Sequence, residues 1–227
     1  TGVQTCALPI SEPAPRKGRH LVLIDKPART QTQVYIGALG TSPRDRDHLA
    51  FTVGNTIFGG TFTARLMREI RSKRGWSYGA SSRLGREKVR DAWSMWTFPA
   101  AADAGPCIAL QLKMLQKLVE DGVSARELAF AKSSLSRGYA FETDTASKRL
   151  WQTLDTRLLE LPQRYFRDYV ERIQSVTRDE VNDALRRRLR PADLIVTVVA
   201  TASEHCSALE QAIPGLASTQ VVPFDSD

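Results

Sequence analysis

Strand-like patterns occur in five stretches of the chain, each rich in β-branched or aromatic residues and bounded by turn residues. The predicted strands are residues 20–25, 31–39, 76–87, 92–100 and 193–201. The first four form two adjacent pairs, each joined by a short polar turn. The fifth, DLIVTVVAT, is an uninterrupted apolar run, which is typical of a buried strand.

Apolar residues at helical spacing, together with start and stop signals, predict helices in most of the remaining chain. The predicted helices are residues 42–60, 63–75, 105–122, 124–141, 144–160, 163–174, 177–189 and 203–213. In the first, Ser42 is the expected cap, Pro43 takes the first helical position and Gly60 ends the helix. Thr63 is the expected cap of the second, and Gly75 stops it.

The order of these elements predicts the fold class. Capping boxes at Ser124–Glu127 and Thr177–Glu180 mark two of the helix starts. Two strand pairs, a long helical run and a late strand are typical of an α+β domain, in which helices cover a largely antiparallel sheet.

The first residues do not read as part of a natural domain. Val3–Ile10, VQTCALPI, correspond to what one frame of a common short-read sequencing adapter encodes, and they are too short and too lightly charged for a signal peptide. We interpret residues 1–11 as a sequence artefact, residues 12–19 as a linker and residues 20–227 as one domain. On this interpretation the natural protein extends further upstream.

Composition excludes several classes of protein. The 227 residues are 42% hydrophobic and 25% charged, as in ordinary globular domains. No apolar run is long enough for a transmembrane segment. Cys6, Cys107 and Cys206 show no C-x-x-C spacing and so predict neither a zinc knuckle nor a disulfide framework.

The net charge of +7 raises the question of an acidic partner. Arg186, Arg187, Arg188 and Arg190 form the densest basic run, but they occupy the last turn of a predicted helix, where cations favour the macrodipole. No aromatic-rich strand or helix-turn-helix signature accompanies them, so no nucleic-acid partner is expected.

Residues 75–79, GWSYG, match the G-x-S-x-G nucleophile elbow, with Asp193 and His205 downstream in the order of a catalytic triad. The elbow requires a strand before the serine and a helix after it. Here a predicted helix precedes Ser77 and a predicted strand follows it. The inverted context argues against a serine hydrolase.

The segment IFGGTFTARLMREIRSKRGWSYGASS resembles the second, zinc-less homologous domain of the pitrilysin/insulinase family of zinc peptidases, the inverzincins. The resemblance is carried by the Gly-Gly turn, the ARL helix start and an arginine and a tyrosine seven residues apart. It implies the repeated α+β half-unit of that family over nearly the whole chain. It also implies that Arg71 and Tyr78 face the zinc site of an opposing domain, bind the substrate carbonyl and stabilise the oxyanion.

The residues themselves permit this role without requiring it. At about 100° per residue, Arg71 lies beside Met67 at the edge of the apolar stripe of its helix, and Tyr78 is expected to start the next strand. A guanidinium and a phenol are suitable donors to a carbonyl oxygen that gains charge. Side-chain chemistry alone favours a solvated arginine and a core tyrosine, and only the resemblance favours catalysis.

No zinc site is expected within the chain. Inverzincins bind zinc through H-x-x-E-H, whereas His20, His48 and His205 have no histidine partner at helical spacing. The resemblance therefore implies that zinc is held by an N-terminal homologous domain or a partner subunit, and that the substrate is a peptide. On this interpretation the chain has no catalysis of its own.

Two expectations stay open at this stage. The alternative to a chamber-forming peptidase domain is a non-enzymatic structural or assembly subunit of the same family. An H-x-x-E-H motif upstream or in an adjacent gene distinguishes the two. The resemblance also suggests a bacterial periplasm or envelope, with the cytoplasm as the other compartment.

Overall fold

The computed structural model describes residues 14–225. The interpretation of residues 1–11 as an artefact lies outside this range. Six strands form one sheet in the order β3-β4-β2-β5-β1-β6. The strands are β1 Arg19–Asp25, β2 Gln33–Leu39, β3 Ala80–Leu84, β4 Ala92–Thr97, β5 Leu194–Ala200 and β6 Leu216–Pro223.

The strand pairs confirm the predicted α+β class. Pairs β3–β4, β4–β2 and β2–β5 are antiparallel, whereas β5–β1 and β1–β6 are parallel. The strand β6 was missing from the prediction, because most of its side chains are exposed and their pattern does not alternate. The chain therefore ends its sheet with an edge strand that hydrophobic periodicity does not reveal.

Seven α-helices accompany the sheet in the described residues. They are α1 His48–Asn55, α2 Ala104–Asp121, α3 Ala125–Tyr139, α4 Ala146–Leu158, α5 Tyr169–Ser175, α6 Arg178–Arg188 and α7 Ala202–Gln211. Both predicted capping boxes are present, at Ser124–Glu127 before α3 and at Thr177–Glu180 before α6. No helix within residues 14–225 is both long and apolar enough to cross a membrane.

The first predicted helix is wrong at its start. Ser42 does not cap it, because α1 begins only at His48. The hydroxyl of Ser42 instead donates to the carbonyl oxygens of Glu87 and Lys88, at 3.0 and 2.9 Å. Its backbone N–H donates to the carboxylate of Asp45. These contacts fasten the segment to the β3–β4 connection, which a local capping pattern cannot anticipate.

Two further boundaries differ from the prediction. The first half of the predicted helix 163–174 is a series of turns, and the helix α5 begins only at Tyr169. Tyr165 and Phe166 in these turns pack with Leu159 and Leu161 in a small separate cluster. The predicted helix 63–75 is a π-helical segment, Met67–Ser72, preceded by two helical residues.

Helices pack on one face of the sheet and enclose the main hydrophobic core. Trp93 and Trp96 on β4 show the two faces. Trp93 is fully buried, and its Nε1–H donates to Asn55. Trp96 is only partly buried, and its Nε1–H donates to Gln33. Alternation along β4 therefore places the two rings on opposite faces of the sheet.

Candidate functional site

The candidate site is built on two π-helical segments, Thr56–Gly60 and Met67–Ser72, and on the turn that follows each of them. Such segments are rare and occur often at functional sites. The first is fixed to the sheet at Gly59, because a Cβ there would lie 2.3 Å from the backbone N of Ser82. This close approach explains the glycine and holds the start of the turn against β3.

A side-chain network secures the same junction. The Oδ1 atom of Asn55 accepts hydrogen bonds from the hydroxyl of Ser82 at 2.7 Å and from Nε1 of Trp93 at 2.8 Å. These bonds tie the end of α1 to β3 and β4. The turn that follows Gly60 is therefore anchored to the sheet through Asn55.

Arg71 is sandwiched between two aromatic rings. Its guanidinium carbon lies 4.3 Å from the ring centroid of Tyr78 and 4.7 Å from that of Phe62. Both rings are on the surface, with Tyr78 75% and Phe62 68% exposed. The structure thus brings the two predicted site residues together and adds Phe62, which the sequence analysis did not single out. The Gly-Gly turn before Phe62 was the available signal, but it does not reveal that this ring is exposed.

The hydrogen-bonding groups of the pair are unoccupied. Within residues 14–225, neither the guanidinium of Arg71 nor the hydroxyl of Tyr78 has a hydrogen-bond or ion-pair partner. The nearby carboxylate of Glu69 is already bonded to Lys73 at 2.5 Å and to Arg74 at 2.9 Å, and these two cations lower its pKa. The Arg71 N–H groups and the Tyr78 hydroxyl are therefore available to a ligand.

Tyr78 does not start a strand as predicted, because β3 begins only at Ala80. It lies instead in the turn that Gly75 opens with a φ of +65°. The turn is held from inside by Ser77, whose buried hydroxyl donates to the carbonyl of Gly79 at 2.6 Å and accepts from the N–H of Phe98 at 3.0 Å. Ser77 therefore points into the fold, and the side chain of the adjacent Tyr78 lies on the surface.

These contacts exclude the nucleophile-elbow interpretation. A helical segment precedes Ser77 and a strand follows it, and the hydroxyl is occupied by backbone groups. His205 contacts Glu204, and Asp193 accepts from the backbone of Gly18. Among the described residues 14–225, Ser77 therefore has neither the base nor the orienting acid of a triad.

The other two histidines are engaged elsewhere. His48 is buried and bonded to Thr41, and burial lowers its pKa to about 4. His20 is bonded to Ser218 and to the carbonyl of Lys17. Across residues 14–225, no group of three or more histidine, cysteine or acidic side chains could hold a metal ion.

The arginine run at the end of α6 is engaged in ion pairs. Arg188 binds Asp47 in a bidentate manner at 2.9 and 2.6 Å, and Arg187 reaches the same carboxylate at 3.2 Å. Arg186 pairs with Asp183 on its own helix. Three of the four arginines therefore have carboxylate partners within the domain.

Comparison with known proteins places these features in a family context. Residues 7–135 match the family described as the peptidase M16 inactive domain. Two curated relatives are each 28% identical. The uncharacterized zinc protease Rv2782c of Mycobacterium tuberculosis aligns over 78% of this chain and 42% of its own length. The non-peptidase homolog YmxG of Helicobacter pylori aligns over 63% and 33%.

A solved structure shows the same fold. The crystal structure of a peptidase M16 inactive domain from Pseudomonas fluorescens is 26% identical, with a TM-score of 0.75. The match covers 83% of this chain and 45% of that one. The chain spans less than half the length of all three proteins.

Proposed function

Because the chain belongs to the family of peptidase M16 inactive domains, we propose that it forms one wall of a proteolytic chamber and binds the peptide substrate there. A homologous domain, on the same polypeptide or on a partner subunit, holds the zinc ion that supplies the hydrolytic chemistry. Arg71 and Tyr78 act from the opposite wall on the peptide carbonyl.

The observation that carries this proposal is the exposed Phe62–Arg71–Tyr78 sandwich. A guanidinium that contacts aromatic rings through its faces can still use the N–H donors in its plane to bind a ligand. The rings are exposed, and the cation between them has no acidic partner in the part of the chain that the structure describes, so the stack contributes little to the core. It is well suited to a ligand that offers a carbonyl oxygen.

Both donors suit a transition state in which negative charge develops on oxygen. The Tyr78 hydroxyl and an Arg71 N–H can approach one acceptor, since the two side chains are in contact. Donors that are oriented before the reaction stabilise the oxyanion without a reorganisation cost. The backbone bonds that close the turn after Arg71, from the N–H groups of Gly75 and Trp76, support that orientation.

The test is Tyr78→Phe in the assembly that contains the zinc-bearing domain. Loss of one oxyanion donor is expected to lower kcat by about 10² to 10³, with KM changed far less. Tyr35→Phe is the matched control, because Tyr35 is also an exposed tyrosine but lies on β2. Equal kcat values for Tyr78→Phe and the unaltered protein would refute the proposed role.

A second candidate function is a non-enzymatic subunit of the same family. It is favoured by the relative from Helicobacter pylori, which is named a non-peptidase homolog. The two functions are distinguished by assaying the complete gene product, with any partner encoded beside it, for zinc-dependent peptide hydrolysis. A complete assembly without zinc and without hydrolysis would support the structural role.

A further inference from the structure

Helix α4 presents its apolar side outward. None of its residues is buried. Leu150, Trp151 and Leu158 are 60%, 62% and 66% exposed, and Leu154 is more than one-third exposed. We call these four residues the α4 stripe. A surface helix of a globular domain ordinarily turns such residues toward the core.

The inward side of α4 is polar. The carboxylate of Asp155 pairs with Arg86 at 2.6 Å. The Gln152 side chain donates to the carbonyl of Glu142 at 3.3 Å and accepts from the hydroxyl of Tyr139 at 3.4 Å. At about 100° per residue, the α4 stripe spans an arc of roughly 100° beside these contacts. The amphipathic helix is therefore attached by its polar side, and its apolar side is left for a partner.

The charges beside the stripe indicate the chemistry of that partner. Asp155 is the only acid on α4, and Arg86 neutralises it. Lys148 pairs with Asp144, whereas Arg149 and Arg157 have no acidic partner within residues 14–225. Arg157 borders the Leu150 edge of the α4 stripe, whereas Arg149 lies about 100° from that edge and donates to the carbonyl of Thr143 at 2.8 Å. The surface accordingly suits an apolar groove whose rim carries carboxylates.

A second copy of this chain fits poorly. The net charge of +7 makes two copies repel each other. The chain also matches only 42% of the mycobacterial relative and 45% of the Pseudomonas fluorescens structure. The unmatched part of each of those proteins is therefore long enough for one further domain of this size. A partner of the same polypeptide or complex is thus the better occupant.

We propose that the α4 stripe, with Arg157 at its edge, docks this domain onto the homologous zinc-bearing domain. The inference rests on the proposed function, because that function supplies the partner. It adds the surface through which the two domains meet. The stripe from Leu150 to Leu158 is about 12 Å long, so it forms one element of a larger interface.

The test uses the 227-residue chain and the H-x-x-E-H domain encoded in the same gene or beside it, produced as separate chains. Titration calorimetry without peptide measures their affinity. The double variant Leu154→Ser/Leu158→Ser is expected to weaken binding at least about tenfold. Its thermal midpoint should stay unchanged, because neither side chain is buried. Val221→Ser, an exposed apolar position on β6, is the matched control and should bind normally.

Charge is tested separately with Arg157→Glu, which is expected to weaken binding and to reduce its salt dependence. Unchanged affinity for both α4 variants would overturn the proposal. So would the absence of any encoded H-x-x-E-H domain, or a dimer of this chain alone that the leucine variant dissociates. A variant that binds weakly while Tyr78→Phe retains full turnover would support the docking surface and refute only the proposed catalytic role.

Discussion

The guanidinium of Arg71 stacks on the ring of Tyr78 across the turn that Gly75 opens. The backbone fixes this relationship. The N–H of Gly75 donates to the carbonyl of Arg71 at 3.0 Å, and the N–H of Trp76 donates to that of Ile70 at 3.2 Å. These bonds at the end of the π-helical segment therefore set the distance between the side chains of Arg71 and Tyr78.

We expect Arg71→Ala to lower kcat and to raise KM in the zinc-bearing assembly. A guanidinium can bind the carbonyl oxygen in the ground state as well as in the transition state, so its loss affects both constants. Steady-state kinetics on a peptide substrate measures the two effects. Arg68→Ala, an exposed arginine on the same segment, should leave both constants unchanged. A variant of Arg71 with wild-type kinetics would leave this side chain without a role in catalysis.

Ser77→Ala is expected to separate stability from activity. The substitution removes the acceptor of the Phe98 N–H and the donor to the Gly79 carbonyl in a buried position. The expected loss is about 1–3 kcal/mol of unfolding free energy, measured by denaturant titration. Turnover per folded molecule should stay within about twofold, because the hydroxyl does not face the substrate. Abolished turnover in a folded variant would instead restore the serine-hydrolase interpretation.

Much of the fold is predictable because it follows from patterns of residues that are close together in sequence. The capping boxes at Ser124 and Thr177 depend on residues close together in sequence, and the structure confirms them. Strand β5 is also present as predicted, but only one of its faces is buried and Ile195 on the other is exposed. Membership of the M16 inactive-domain family confirms the resemblance read from the Gly-Gly and Arg–Tyr motifs. Ser42 was assigned wrongly because its partners, Glu87 and Lys88, lie far along the chain.

The candidate site was predictable only in part. The spacing of Arg71 and Tyr78 led to both residues, and the structure brings them into contact. The contribution of Phe62 was missed, because nothing in a local pattern shows that an aromatic residue after a glycine pair is exposed and stacked. The catalytic role itself depends on a domain that this chain does not contain, so it stays a prediction.

Gly59→Ala is expected to destabilise the domain strongly. A Cβ at Gly59 would lie 2.3 Å from the N atom of Ser82 and 2.5 Å from its hydroxyl oxygen, so the π-helical segment must move away from β3. The matched control is Gly138→Ala within α3, where a Cβ meets nothing within 4 Å. That change should stabilise the domain by about 0.5–1 kcal/mol through helix propensity. Opposite shifts of the thermal midpoint are expected, and a neutral Gly59→Ala would show that the junction is not tightly packed.

Glu127 is expected to make the stability of the domain depend on pH in the acid range. Hydrogen bonds from Arg65, at 2.7 Å to each carboxylate oxygen, lower the pKa of Glu127 from its ordinary 4.5 to about 2, with help from Ser124. A carboxyl whose pKa is lower in the folded than in the unfolded chain stabilises the fold above the unfolded value. That contribution declines as the pH falls from about 4.5 toward 2 and the carboxylate becomes protonated.

The unfolding free energy of Glu127→Gln should therefore be lower than that of the unaltered chain at pH 7, and the difference should shrink steadily below pH 4.5. Glu171→Gln, at an exposed position on α5, is the control for replacing a carboxylate away from Arg65. A difference that is constant from pH 7 to pH 3 would mean that the Arg65 bonds do not set the ionisation of Glu127.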